Sequence, residues 1–250
     1  MAETGGADGV VEAWARHWGT FTSPAWGPLL TATGVVRGTR VLDVGCGTGE
    51  LLARLVRDGA VATGVDPSPL MAERASADNP GVPVLDGDAE HLPFADDAFD
   101  VVLALNAVHL ADDTAAALAE ISRVLAPGGR VGLASWAERA RQDLDHVERA
   151  VAAAYEEGPV PDGPLRRAGG LEAALAGAAL EVVAAGLVDA PWTAPDDDGL
   201  VRGVLVGEDA ATRAWLAPAV LRAAAPFRQQ DGGYRLVGAL RWAVGREPTR

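Results

Sequence analysis

The stretch Val41-Leu42-Asp43-Val44-Gly45-Cys46-Gly47-Thr48-Gly49-Glu50 decides how this chain is read. Residues of strand character run into three glycines spaced two apart, and a helix-forming segment, Glu50 to Arg57, follows at once. A strand that stops at glycines and opens a helix is a ligand turn of a parallel α/β sheet. Glycine suits it because a side chain would hold a ligand off the backbone, and because tight turns often require positive φ. The helix start offers unpaired N–H groups to whatever sits above the turn. A dinucleotide fingerprint wants its third glycine one residue later, where this chain has Glu50, an acid that would stand against a pyrophosphate. The pattern here is Asp-x-Gly-x-Gly-x-Gly, and Asp43 suits a ligand that carries positive charge, such as an amine and a sulfonium.

Composition narrows the classes further. A chain of 250 residues with 49% hydrophobic content can build one large α/β core, and no apolar run is long enough to span a membrane. Met1 to Gly9 is polar and acidic, unlike a signal peptide. The lone cysteine, Cys46, excludes an internal disulfide and a multi-cysteine metal site. Together these lead to the expectation of a cytoplasmic protein with no membrane partner. A net charge of −14 opposes binding to nucleic acid. All 21 basic residues are arginine, so a Schiff-base lysine, a phosphate-loop lysine and a lysine general base are absent.

The rest of the chain follows a strand–helix alternation. Val10 to Trp18 reads as a short amphipathic helix, and a second runs from Trp26 to Ala32, separated from it by Ser23-Pro24. Trp14 and Trp18, one helical turn apart, either line an apolar substrate pocket over the sheet or seal the helix to the domain. Strands are expected at Val61–Val65, Val82–Leu85, Phe99–Leu105 and Arg130–Trp136, with helices at Leu70–Ala77 and Asp113–Leu125, the latter stopped by Pro127-Gly128-Gly129. Beyond Trp136 the regularity fails. Helices are expected at Ala137–Tyr155 and Gly170–Ala179, a loop at Gly158–Pro164, a strand at Glu181–Val188, and helical segments over Asp209–Ala225 interrupted by Pro218. Tyr234–Val244 closes the chain as an antiparallel strand. The expected organisation is a single domain over 1–250: an N-terminal helical cap (1–38), a cofactor-binding core (39–136), a lid or substrate region (137–233) and a final strand (234–246).

Three acids fall at the carboxyl ends of three successive strands: Asp43, Asp66 and Asp88. In an open parallel sheet those ends face the ligand crevice. Asp66 lies 23 positions after Asp43, where a carboxylate can accept from both hydroxyls of a ribose. Backbone around Asp88-Ala89 can reach an adenine edge, and Met71 can pack on an adenine face. Asp196-Asp197-Asp198, after Pro195, reads as a helix cap near Leu200 rather than a metal cluster, and no metal is expected.

Val41 to Glu50, Gly64-Val65-Asp66, Gly87-Asp88-Ala89-Glu90-His91-Leu92-Pro93-Phe94, Phe99-Asp100 and Arg123-Val124-Leu125-Ala126-Pro127-Gly128-Gly129 resemble the class I S-adenosylmethionine-dependent methyltransferases. The resemblance is strongest to the small-molecule branch, the type 11 methyltransferases that act on quinones and natural products, and it covers about Thr39 to Trp136 in order. It implies a Rossmann-like fold with a seven-stranded, mostly parallel sheet in the order 3-2-1-4-5-7-6, the seventh strand antiparallel, with helices on both faces. It also implies that S-adenosyl-L-methionine is the cofactor and S-adenosyl-L-homocysteine the product. Gly45, Gly47 and Gly49 then form the methionyl turn with Asp43 near the amine. Asp66 lies on the ribose, Asp88 and Ala89 lie on the adenine, and Asn106 is by the transferring methyl. A stretch of Ala-Gly-aromatic type expected before the sixth strand reads Ala178-Ala179-Leu180 here.

The implied reaction moves a methyl group to oxygen, carbon or nitrogen of a small, largely apolar bacterial metabolite, in biosynthesis. His109, just after the fourth strand, is the candidate general base, ahead of His17 and His146, while His91 is assigned to surface or packing. An alternative keeps the cofactor site but has the protein cyclise or rearrange a metabolite without methyl transfer. Oligomeric state is open.

Overall fold

The computed structural model describes residues 7–158 and 160–248. The first six residues, part of the segment judged unlike a signal peptide, lie outside the described residues, as do residue 159 in the expected 158–164 loop and the last two. Seven strands, β1 (Arg40–Val44), β2 (Val61–Asp66), β3 (Val84–Asp86), β4 (Phe99–Leu105), β5 (Leu125–Trp136), β6 (Glu181–Ala194) and β7 (Tyr234–Arg246), form one sheet. Its order is β3-β2-β1-β4-β5-β7-β6, as the resemblance implies. All pairings are parallel except those of β7 with β5 and β6.

Burial on both faces explains why the central strands are almost continuously apolar. Alternate residues enter opposite layers: Leu42, Val102 and Ala104 join α5 (Thr114–Val124) and α7 (Gly170–Gly177), through Ile121 and Leu175. Val41, Val101 and Leu103 face α2 (Ser23–Thr33) and α3 (Glu50–Arg57), through Leu29 and Leu52. Helix α2 is therefore part of the core layer, while α1 (Ala7–His17) brings Trp14 to the crevice over the carboxyl ends of the strands. Pro24 does not merely separate the two helices; it lies in the first turn of α2, where its missing N–H costs nothing.

Several boundaries move from their expected positions. Pro127-Gly128-Gly129 does not end a helix before a later strand but forms an irregularity inside β5, where the partner of Phe99 is Leu125 and that of Val101 is Arg130. Gly128 takes φ +76°, which a β-bulge of this kind demands. Residues 139–141 form a 3-10 turn, and α6 starts only at Asp143, running to Ala154. Strand β6 continues six residues past Val188, because Ala190, Trp192 and Ala194 find buried positions against β7. Pro191 is tolerated there since β6 is the sheet edge and half its N–H groups need no partner. Pro218 does not break α9 (Ala210–Ala224); burial of Leu216, Val220 and Ala224 outweighs one lost hydrogen bond. The acid run behaves as read: Asp196 caps α8 (Asp197–Val204) by accepting from Gly199 N at 2.8 Å.

Helices α6, α8 and α9 pack with Trp192, Tyr234 and Leu236 into a third apolar cluster on the extended ends of β6 and β7. Among the described residues from 137 to 233, none lines the large crevice described below. Trp192 of this region stacks behind Trp18, and α1 with the segment after it brings Trp14, Trp18 and Phe21 to the crevice.

Candidate functional site

A crevice of about 710 Å³ opens over the carboxyl ends of β1, β2 and β4. Its floor is the turn between β1 and α3, where Gly45, Gly47 and Gly49 have φ of +71°, +55° and +89°. The end of β2 holds this turn in place. Gly45 N and Cys46 N donate to Val65 O at 2.8 and 3.1 Å, and Gly47 N donates to Asp66 Oδ2 at 2.8 Å. The three glycines are needed for different reasons. A Cβ on Gly45 would overlap Ala107 Cβ, and one on Gly49 would lie 2.5 Å from Asn79 Nδ2. Only Gly47 faces open space, with Trp14 Nε1 the nearest group at 3.9 Å. Gly49 does not line the crevice, nor do the lesser candidates His17 and His146: Gly49 packs on α4 (Pro69–Asp78) and shapes the turn. Asn79, buried at the end of α4 and donating to Gly49 O and Ala75 O, secures the turn from behind, a function that no motif announces.

All other candidates line one crevice: Trp14, Trp18, Asp43, Gly45, Gly47, Asp66, Met71, Asp88, Ala89, Asn106 and His109. Asp43 is buried, and among the described residues no group donates a hydrogen bond to its carboxylate. Desolvation, then the charges of Asp66 and Glu50, push its pKa well above the ordinary carboxylate range. A buried carboxylate without a donor is costly unless a cation or donor from outside meets it. Asp66 is also raised by desolvation, partly offset by the N–H groups of Ser68 and Gly47 at 2.9 and 2.8 Å. Each of its oxygens keeps a second lone pair. Asp88 sits at the rim, exposed, where its Oδ1 accepts from Glu90 N at 2.9 Å. Cys46 has its pKa pushed up by burial and by Asp43 and Asp66, so its thiol stays protonated and unreactive.

Beyond the end of β4, Asn106 takes φ +54° and accepts from Trp136 N at 3.0 Å, while its Nδ2 is a buried donor with no partner. His109 follows in a 3-10 turn, Val108–Leu110. Its pKa is lowered, first by desolvation and then by the charge of Arg166.

The roof is aromatic. Trp18 stacks on Trp192 at 5.0 Å and meets Phe21 and Trp136 edge-on, and Phe21 stacks on Trp136 at 4.3 Å. Trp14 lies 6.4 Å from Trp18. Trp14 and Trp18 both line the crevice, and Trp18 also seals this segment to the domain. Trp18 Nε1 donates to Gly203 O at 2.8 Å and Trp192 Nε1 to His17 O at 2.6 Å. On the other side Glu12 pairs with Arg74 of α4 at 2.6 Å. Phe21, Trp26 and Trp136 were not among the candidates, although Trp136, at the end of a strand beside β4, is placed there by topology alone.

Comparison with known proteins agrees with this geometry. Residues 42–133 match the methyltransferase domain family. An uncharacterised methyltransferase of Mycobacterium tuberculosis is 47% identical over 94 residues, which is 38% of this chain and 38% of that one. A demethylmenaquinone methyltransferase of Corynebacterium kroppenstedtii is 42% identical over 94 residues, 38% of this chain and 40% of its own. The match thus spans about two fifths of the length of these relatives. A solved structure of a candidate methyltransferase from Bacillus halodurans superposes with a TM-score of 0.62 at 19% identity, covering 89% of this chain and 98% of the other. No helix among the described residues is long and apolar enough to cross a membrane, and no group of three or more metal-ligating side chains occurs among them. The match over residues 42–133 is to a methyltransferase domain, and the seven-stranded sheet that contains those residues has the Rossmann-like fold of the solved structure it superposes on.

Proposed function

We propose that the protein transfers the methyl group of S-adenosylmethionine to a small, largely apolar acceptor in a biosynthetic reaction. The observation that carries this reading is Asp43: a buried carboxylate with no internal donor, above a left-handed glycine turn, in one crevice with Asp66 and Asp88. That set fits the cofactor. Asp43 meets the methionyl amine, and Gly45 and Gly47 let the methionyl chain approach the backbone. Asp66 takes the ribose hydroxyls on its remaining lone pairs, and Asp88, Ala89 and Met71 bound the adenine. Bound there, S-adenosylmethionine supplies an electrophilic methyl group on a sulfonium.

The chain's own contribution is alignment and dryness, since positive charge disperses during methyl transfer and water would compete for the site. The ring cluster of Trp14, Trp18, Phe21 and Trp136 excludes water from the acceptor side. The free Nδ2 of Asn106 offers a hydrogen bond near the reacting end. His109, kept neutral by its lowered pKa, is placed to take a proton where the acceptor's nucleophile carries one.

The test is calorimetric titration with S-adenosylmethionine of the wild type and of Asp66→Ala. Losing two charge-assisted bonds should weaken binding by about 2–4 kcal/mol, roughly 30- to 700-fold, and NAD should give no heat with either protein. Unchanged affinity in a folded variant removes Asp66 from the site. Incubating the wild type with a metabolite pool and looking for a mass gain of one methyl then separates transfer from rearrangement, which would give an isomer instead.

A further inference from the structure

Resting on that reading of the crevice, we infer that the methyl acceptor carries no carboxylate, phosphate or sulfate: it is a flat molecule, uncharged or cationic. Three observations converge on this. Six acids line the crevice, Asp43, Glu50, Asp66, Asp88, Glu90 and Asp112. No arginine among the described residues lines it, and the chain has no lysine to do so. Its one basic side chain is His109, whose pKa is lowered by desolvation and by Arg166.

Arg166, whose charge reaches His109, and Arg74 of α4 are already committed. Arg166 donates to Ala137 O at 3.1 Å and pairs with Asp162 at 3.4 Å. Arg74 lies between Glu12 and Asp78, at 2.6 Å from each. An anionic group entering the crevice would lose its hydration, meet several like charges and find no cationic side chain of the protein. The donor brings two positive charges, the amine matched by Asp43 and the sulfonium, against a carboxylate of its own, and the six acids of the crevice still outnumber them.

The acceptor's flatness follows from the rings. Trp18 and Trp136 cross at 74° with Phe21 stacked on Trp136, a set of faces and edges that receives a planar apolar body. The same faces, among acids, tolerate an ammonium through cation–π attraction. A cavity of about 710 Å³ lies in the upper part of the roughly 300–1,000 Å³ range of ligand pockets, which leaves room for a second small molecule beside the donor.

The test uses three probes that share a ring system, naphthol, naphthylmethylamine and naphthoate. Each is titrated calorimetrically into the protein saturated with S-adenosylhomocysteine. Naphthol and the amine should bind, and naphthoate should bind at least about tenfold more weakly than naphthol. In the variant Leu110→Arg, an exposed position on the crevice wall, the naphthoate penalty should shrink by at least about fivefold while naphthol is little affected. Naphthoate binding to the wild type as tightly as naphthol, no binding of naphthol, or a penalty unmoved by Leu110→Arg would each overturn the inference. Failure of S-adenosylhomocysteine to bind counts against the donor reading alone, since the probes are then titrated into the ligand-free protein with the same expected order.

Discussion

On the donor wall of the crevice, the acids and glycines come from strand ends and from turns that follow them, with Met71 added by α4: Asp43 near the end of β1 with Gly45 and Gly47 after it, Asp66 at the end of β2, Asp88 and Ala89 after β3. On the acceptor wall, the rings come from α1, from the segment before α2, from the end of β5 and, behind them, from β6. Trp18 and Trp192 are stacked although 174 positions separate them in the chain. The first wall is dictated by sheet topology, which sends the carboxyl ends of parallel strands to one side whatever surrounds them. The second is an aromatic cluster whose members are brought together only by the completed fold. One consequence is that the donor wall can lose a side chain and leave the fold standing, while the acceptor wall uses the same rings for packing and for the ligand.

The largest effect that would sharpen this contrast lies where the two walls meet. His109→Gln should lower turnover by about 10²–10⁴ when the acceptor's nucleophile is protonated, and leave donor affinity nearly unchanged. The pH profile follows from the direction of the shift. A base acts in its neutral form, and burial with Arg166 nearby lowers the pKa of His109 below 6.5. Activity should therefore rise through a region below pH 6.5 and be level at neutrality, not still climbing there. A variant with wild-type turnover and profile would make His109 structural and would point to a carbon or an already ionised nucleophile.

The next effect is on stability, and it tests whether the acceptor wall is also core. Trp18→Ala removes a stacked ring, two edge contacts and the bond to Gly203 O, while Trp18 itself is only partly buried. The cost should be about 2–4 kcal/mol by urea unfolding, somewhat under that of a fully buried ring. Affinity for S-adenosylhomocysteine should change by less than about threefold in the folded variant. Unaltered stability would break the comparison, since the rings would then serve the ligand alone. A collapse of donor affinity would break it from the other side.

The same division explains what was legible in the sequence. The glycine turn, the acids and Asn106 could be placed because each stands at a fixed offset from a strand end, and only strand order was needed to bring them together. Gly49 is a different case. Its spacing is that of its neighbours, but its neighbour in space is Asn79, and side-chain packing leaves no trace in spacing. Phe21 and Trp26 give no local signal beyond being aromatic. How residues 137–233 pack is harder to read because it depends on how far β6 runs, and Pro191 hides that length until its position on the sheet edge is known. Pro218 misleads in the same way, since burial on the third cluster decides whether α9 continues.

The smallest expected effect has a sign that only the donor wall should give. Asp43 has a folded-state pKa raised above its unfolded value, by burial first and then by Asp66 and Glu50. The folded state therefore holds the proton more readily than the unfolded one. Its stability falls as pH rises from the ordinary carboxylate range through the raised folded value, and above that value the whole penalty is present. Asparagine carries no such penalty. Ligand-free Asp43→Asn should thus be more stable than the wild type at neutral pH, by on the order of 0.5–2 kcal/mol, with the difference vanishing in acid where both side chains are neutral. Saturating S-adenosylmethionine should reverse the order, because the wild type gains about 2.7 kcal/mol at a ligand concentration 100 times Kd and the variant, short of its contact to the amine, gains less. Thermal melts of both proteins, with and without ligand and at two pH values, make the check. An Asp43→Asn protein less stable than the wild type without ligand would mean that Asp43 is held by the fold for the fold's own sake, and the donor wall would then be core in the same sense as the aromatic one.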